Sequence, residues 1–259
     1  ACAVSSNTGF SRRCTLVGPA NVAEEAKKCG IATPLESVPS ITLGVNGVTV
    51  REMAGAYATI ASGGIQRDAV PIERITNSNG QVIFQADTTG TRVFSEQVAH
   101  AAEQVMEGVI NGGTGGSARL KSQTAAGKTG TTQNYRDSYF CGITPQYSVA
   151  IWLGSRQERT MPAYLDCTGV FSNFLNRIIP AGTNEPFVMD KAGNPQYRKL
   201  TAEDMKILGA SGPSKEENDS SSSSSSSNNA SSTQSSTSSS TSRSESKSSS
   251  QSSSTAPNP

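Results

Sequence analysis

The run Lys128-Thr129-Gly130-Thr131-Thr132 combines a cation, hydroxyl donors and an unobstructed backbone in five consecutive residues. On a strand, a lysine beside threonines offers a fixed positive charge and hydroxyl donors to a carboxylate, and the glycine leaves backbone N–H groups open to a docked substrate. Near the other end of the chain, Ser5-Ser6-Asn7 adds a hydroxyl and an amide at Ser-x-Asn spacing, directly before helix-forming sequence. The spacing recurs at Ser226-Ser227-Asn228 inside a serine-rich stretch, so position rather than pattern selects the first copy.

Two nucleotide-binding patterns fail on context. Gly113-Thr114-Gly115-Gly116-Ser117-Ala118 matches G-x-G-x-x-A, but that fingerprint needs a strand before it and a helix after it, whereas a long helical pattern precedes it here. Gly127-Lys128-Thr129 has the ending of a phosphate-binding loop, but Ser122 stands where its first glycine belongs, and Gly130-Thr131-Thr132 is poor helix sequence. Zinc chemistry lacks ligands: Cys2, Cys14, Cys29, Cys141 and Cys167 form no C-x-x-C pair, and His100 is the only histidine. No metal and no cofactor is expected. The cysteines allow two disulfides and one thiol in an oxidising compartment, or five thiols in a reducing one.

The elements that must position these residues follow from periodicity and capping. A helix is predicted over 21–29, with Asn21 as cap and Gly30 as stop. Thr49-Val50-Arg51-Glu52 has the form of a capping box, followed by Val50, Met53, Ala54, Tyr57, Ile60 and Ala61 on one helical face up to Gly63-Gly64. Apolar runs at 70–75 and 82–84 flank Asn79-Gly80, which predicts a hairpin with a primed two-residue turn. From Ser95, Val98, Ala101, Ala102, Val105, Met106, Val109 and Ile110 recur at helical spacing to Gly112-Gly113, with His100 off the stripe on an expected solvated face. Strands are predicted at 124–132, 138–144 and 147–153 as an antiparallel meander. A last helix carries Phe171, Phe174, Leu175, Ile178 and Ile179 and ends at Pro180, after which periodicity is lost. Helices around a meander predict a mixed α/β (α+β) class, an antiparallel sheet packed between helices.

Composition bounds the rest. Of the 259 residues, 24 of the 35 from Ser220 to Ser254 are serine, and such a stretch cannot bury enough apolar surface to offset its ordering entropy. The globular part is therefore 1–209 and the serine-rich tail 210–259 is expected to be disordered. Residues 1–209 hold 19 basic and 17 acidic side chains, which argues against a nucleic-acid binder or an anionic-membrane binder driven by bulk charge. No apolar run approaches the roughly 18 residues of a membrane span, and no secretion signal opens the chain. Residue 1 is Ala rather than Met, which reads as a processed chain or a fragment.

Taken together, these features resemble the penicillin-binding protein transpeptidase domain, most closely that of the bifunctional class A enzymes that build peptidoglycan. The resemblance rests on residues 126–132 (AGKTGTT), 134–140 (NYRDSYF), 142–145 (GITP) and 152–154 (WLG), with Gly113-Thr114-Gly115, Ala118 and the helix from Thr49 to Ser62 in support. It covers about residues 1–180 and implies a β-lactamase/transpeptidase-like fold. The family's nucleophile and its lysine form S-x-x-K some tens of residues before the Ser-x-Asn triplet. The one such match in this sequence, Ser244-Glu245-Ser246-Lys247, lies in the tail. The resemblance thus implies the C-terminal half of the domain, with the N-terminal strands missing, an exposed sheet edge, and an inactive chain when alone.

What the resemblance implies about residues is specific. Ser5, Asn7, Lys128 and Thr131 become catalytic candidates, with Thr129, Gly130, Thr131 and Thr132 binding substrate. The implied partners are peptidoglycan stem peptides ending in D-Ala-D-Ala and β-lactam antibiotics. The implied location is extracytoplasmic, with a membrane anchor in the missing N-terminal part. In the family's fold Cys141 and Cys167 come close, which allows a Cys141–Cys167 disulfide, and Cys14–Cys29 is a second candidate pair. A serine β-lactamase or D,D-carboxypeptidase is the nearest enzymatic alternative, and a non-catalytic wall-binding or sensor module the alternative from another class.

Overall fold

The architecture grows from an antiparallel meander of β5 (Ala126–Thr131), β6 (Asp137–Ile143) and β7 (Ser148–Gly154), in spatial order β5-β6-β7. This computed structural model describes residues 1–157, 159–162, 165–187 and 200–209; the tail assigned to 210–259 lies outside them. The three strands fall within the sequence-predicted spans to one or two residues. Alternation divides the sheet's side chains between two helical layers. Phe140, Val149, Ile151 and Leu153 pack with Phe171 and Leu175 of α5 (Cys167–Ile178). On the other side, Ala126 and Ile143 pack with Tyr57 of α3 (Val50–Ala61) and Met106 of α4 (Glu96–Gly112). The class is the expected one, an antiparallel sheet between helices.

Each helix starts where its chemistry directs. Thr49 caps α3 through Glu52 N–H while the Glu52 carboxylate accepts from Thr49 N–H, the reciprocal box seen in the sequence. The same carboxylate accepts from Ala32 N–H, Thr33 N–H and the Thr33 hydroxyl, tying α3 to the incoming chain. Ser6 caps α1 (Asn7–Val17), and α2 (Pro19–Lys28) opens at Pro19, two residues before the predicted cap. Proline is preorganised for a first helical position, and the Asn21 amide instead donates to Val17 O at 2.8 Å.

The predicted apolar stripes need correction. On α4 the buried residues are Ala99, Glu103, Met106, Val109 and Ile110, whereas Val98 and Val105 are exposed. On α5, Phe171 and Leu175 are buried but Phe174 and Ile178 are exposed. A periodic pattern fixes the helix, yet a broad apolar arc does not fix which edge of it meets the sheet. His100 is half-buried, its Nδ1 3.2 Å from Glu103 Oε2, rather than on a solvated face.

The predicted hairpin forms between β2 (Arg74–Thr76) and β3 (Val82–Gln85), with a different turn. Gly80 N–H donates to Asn77 O and Asn77 N–H to Gln81 O, so the loop has three residues and only Gly80 (φ 79°) is left-handed. A further pair, β1 (Ile65–Gln66) with β4 (Thr91–Arg92), precedes α4, and α6 (Ala202–Leu208) follows a Thr201–Asp204 capping box. Seven residues were too few to register as periodicity. All five cysteines are free, so neither candidate disulfide forms; the Cys167 thiol donates to Ser138 O at 3.1 Å.

Candidate active site

Ser5 is placed by a tight N-terminal turn. Ser5 N–H donates to Cys2 O at 3.1 Å, Ser6 N–H to Ala1 O at 3.0 Å, and Ser5 takes a left-handed conformation (φ 50°). The loop after α4 clamps this turn through Thr114 N–H, which donates to Ala3 O at 2.9 Å. The clamp requires glycine at 113: a Cβ there would lie 2.2 Å from Ala3 O.

Lys128 reaches this turn from β5. Its Nζ donates to Ser5 Oγ at 2.7 Å and to Thr129 O at 2.8 Å. None of the ion pairs among the described residues involves Lys128, and burial holds its pKa below the usual lysine range. Because Ser5 Oγ accepts from Lys128, its own O–H is left to donate elsewhere. On the opposite face of the strand, Thr129 Oγ1 is 2.7 Å from Thr114 Oγ1. Thr129 and Thr131 line a cleft of ≈ 420 Å³ with Ser5, Thr114, Tyr135 and Tyr139. The Tyr139 hydroxyl is buried without a hydrogen-bond partner, and burial pushes its pKa up to about 12, so it keeps its proton.

The remaining candidates sit differently. Asn7 is exposed at the first residue of α1 and does not line the cleft. Thr132 is directed away from substrate binding: its hydroxyl donates to Asp137 Oδ2 at 3.0 Å and accepts from Asp137 N–H at 2.8 Å, closing the connection between β5 and β6. Gly130 faces Tyr139 across the β5–β6 pair, where an added Cβ would lie 3.3 Å from Tyr139 Cβ. Within that connection Asn134 (φ 61°) and Tyr135 (φ 51°) are both left-handed, and Tyr135 reaches the cleft. Tyr135 and Tyr139 stood inside the run 134–140 but carried no separate chemical signal. Met161, Asp166 and Thr168, which also line the cleft, carried none at all. Gly113-Thr114-Gly115 proves to be a structural clamp, followed by a 3₁₀ turn (Gly116–Ala118) rather than a nucleotide-binding helix. Among the described residues, no three His, Cys, Asp or Glu side chains gather as a metal site.

The arrangement supplies a half-buried cation bonded to a hydroxyl at the edge of a threonine-lined cleft, suited to holding an anionic acyl substrate and moving a proton. The sequence profile of the penicillin binding protein transpeptidase domain matches residues 2–157. The chain belongs to this family. Penicillin-binding protein 1A of Clostridium acetobutylicum is 32% identical over 123 residues, 47% of this chain and 15% of that protein. Penicillin-binding protein 2D of Bacillus subtilis is 30% identical over 169 residues, 62% of this chain and 24% of that protein. The transpeptidase chain thus spans under a quarter of the length of these two relatives. Among solved structures, penicillin-binding protein PonA1 of Mycobacterium tuberculosis superposes with a TM-score of 0.59 at 26% identity, covering 71% of this chain and 57% of the other. Penicillin-binding protein 1A of Haemophilus influenzae superposes with a TM-score of 0.65 at 18% identity, covering 73% and 35%, and supports the β-lactamase/transpeptidase fold.

Proposed function

We propose that residues 1–209 carry the substrate-gripping and proton-relaying part of a peptidoglycan D,D-transpeptidase, the activity that cross-links stem peptides ending in D-Ala-D-Ala. The observation that carries this reading is the 2.7 Å bond from Lys128 Nζ to Ser5 Oγ beside the cleft lined by Thr129 and Thr131. In the reaction, a serine hydroxyl gives up its proton to the relay as it attacks the penultimate D-Ala carbonyl, the terminal D-alanine leaves as an amine after taking a proton, and an acceptor amine displaces the serine ester, its own proton returning to the serine oxygen. Thr129 and Thr131 hydroxyls bind the terminal carboxylate, and the Lys128 ammonium keeps the pocket positive. The Ser5 O–H hands a proton to the leaving amine and is recharged by Lys128, whose lowered pKa makes it the better acid. The N–H of Thr131 supports the developing oxyanion, a contact of a kind worth about 3 kcal/mol in the barrier.

The attacking serine has no S-x-x-K counterpart in residues 1–209, so this chain grips substrate without being acylated. β-Lactams bind the same cleft as carboxylate-bearing mimics. The enzyme works outside the cytoplasm, although no helix among the described residues is long and apolar enough to cross a membrane.

The test is NMR titration of the chain with N-acetyl-D-Ala-D-Ala, together with labelling by a fluorescent penicillin. The peptide should saturably shift the backbone amides of Ser5 and residues 128–131, and the Thr129→Val/Thr131→Val variant should abolish the shifts. Absence of those shifts would refute the binding role, and covalent labelling of the chain would refute the assignment of the nucleophile.

A further inference from the structure

At the other end of β5 from the cleft lies a second cavity, of ≈ 540 Å³, that shares no lining residue with the first. Ala125 lines this cavity and Thr129 the first, so the two sites are about 13 Å apart along the strand. Arg119 and Lys121 stand at this cavity with the inward-pointing Leu120 between them. Arg119 is anchored through its guanidinium and Lys121 through its backbone, with the Lys121 side chain exposed. Arg119 Nη2 donates to Asn111 O at 3.1 Å, which leaves most of the guanidinium fork free, and the Lys121 backbone N–H donates to Asn176 Oδ1 at 3.0 Å on α5. Among the described residues neither side chain is in an ion pair, and no lining residue is acidic.

The neighbouring acid is committed elsewhere. Glu185 Oε2 accepts from Gln146 Nε2 at 2.8 Å, while the Glu185 backbone and the Gln123 side chain bond each other in both directions, at 2.5 and 3.1 Å. Those bonds hold one wall of the cavity rigid. The remaining lining offers hydroxyls from Ser122 and Thr124, an amide from Asn184, and an apolar floor at Ile110. An anchored guanidinium and an exposed ammonium ask for carboxylates; the amide and hydroxyl groups beside an apolar floor suit a peptide backbone better than a bare inorganic anion.

We propose that this cavity is a second binding site, for a short acidic peptide, gripped through carboxylates by Arg119 and Lys121. The site is independent of acyl transfer, and nothing in it depends on the transpeptidase reading.

The experiment follows the amides of residues 120–124 by NMR as the full chain is titrated with acetyl-Ala-Glu-Ala carrying a free C-terminal carboxylate. Saturable shifts are expected there. Arg119→Gln/Lys121→Gln should weaken binding at least tenfold, and so should replacing the ligand by acetyl-Ala-Gln-Ala-amide. Arg119→Lys/Lys121→Arg should retain most of the affinity, which separates charge recognition from damage to the fold. Thr129→Val/Thr131→Val, which disables the other cleft, should leave these shifts intact. Persistence of binding in the double glutamine variant, loss of the 120–124 shifts in the threonine variant, or the absence of saturation would overturn the proposal. Inorganic phosphate displacing the peptide at equal concentration would overturn the peptide assignment in favour of a simple anion.

Discussion

Lys128 and Ser5, 123 residues apart in sequence, meet through a hydrogen bond of 2.7 Å that joins the sheet edge to the turn before α1. The ammonium is half-buried and, among the described residues, in no ion pair, so folding carries a desolvation cost that a bound anion would offset. Lys128→Met should therefore leave the melting temperature unchanged or slightly raised, while weakening N-acetyl-D-Ala-D-Ala binding by about 10- to 100-fold, as expected for loss of one charge-assisted bond. Binding by the unmodified chain should fall with rising pH at a point below the ordinary lysine range, because burial has lowered the group's pKa. Calorimetric titrations from pH 7 upwards check both; a melting temperature that collapses in the methionine variant would show that the lysine is structural instead.

Glu52 gives a stability prediction with the opposite pH profile. Its carboxylate collects donors from Ala32, Thr33 and Thr49, and the bonds from Thr49, first of these, bring its pKa down to about 2. A folded pKa below the unfolded value, roughly 4.3, means that the stabilisation is complete above that value and is lost as pH falls through about 2. Glu52→Gln should lower the melting temperature by several degrees at pH 7, because its NH2 group would face donors. The gap between variant and parent should narrow steadily below pH 4 in thermal unfolding followed by circular dichroism.

These two residues illustrate what the sequence made legible. Thr49 and Glu52 belong to a local motif, three residues apart, whose geometry is fixed by helix termini in general; α3 was readable for that reason. Lys128 and Thr129 were readable because residue types that grip a carboxylate stood together on a predictable strand. The bond from Lys128 to Ser5 was legible only by way of the family resemblance, since no periodicity links two segments 123 residues apart. The cleft residues Met161, Pro162, Leu165 and Thr168 were invisible because they act through position alone. Thr132 misled for a related reason: its type suited substrate, but its place at the strand end gave its hydroxyl to Asp137. The buried edges of α4 and α5 were misplaced because what packs against a helix decides which part of a wide apolar arc is covered, and sequence periodicity does not report the neighbour.

One consequence of the α4 correction is a second ionisable group with a use for stability. Glu103 is buried on the face that packs inward, 3.2 Å from His100 Nδ1, and burial, reinforced by the charge of Glu107, raises its pKa to about 8. The folded state then holds a proton that the unfolded chain releases near pH 4, so stability should decline as pH rises from about 4 through about 8. Glu103→Gln, neutral at every pH, should flatten that decline and be the more stable protein at pH 9 by on the order of a few kcal/mol. Chemical denaturation at pH 5, 7 and 9 measures the slope. A parent protein equally stable at all three values would show that Glu103 is solvated in the folded chain.

The glycines of the sheet couple packing to the site. Gly127 and Gly142 are register partners, and each faces the ring of Phe140, which stacks edge-on against Phe171 with centroids 5.0 Å apart. A Cβ on Gly142 would lie 2.6 Å from carbons of both rings, with no flexible chain end able to yield, in a layer where Phe140 and Phe171 are 0% exposed. Gly142→Ala should cost about 1–3 kcal/mol through overpacking. Phe171→Ala should cost about 3–5 kcal/mol through the cavity it leaves. Relief by partial emptying distinguishes the two: Gly142→Ala combined with Phe171→Leu should be more stable than the sum of the single changes, since the smaller side chain makes room for the methyl group. Because Gly127 lies next to Lys128 on β5, displacement of the strand in Gly142→Ala should also weaken ligand binding in the cleft, and the double variant should restore both together. Recovery of stability without recovery of binding would show that the strand's position is set from the α3 and α4 side of the sheet and not by the paired aromatic rings.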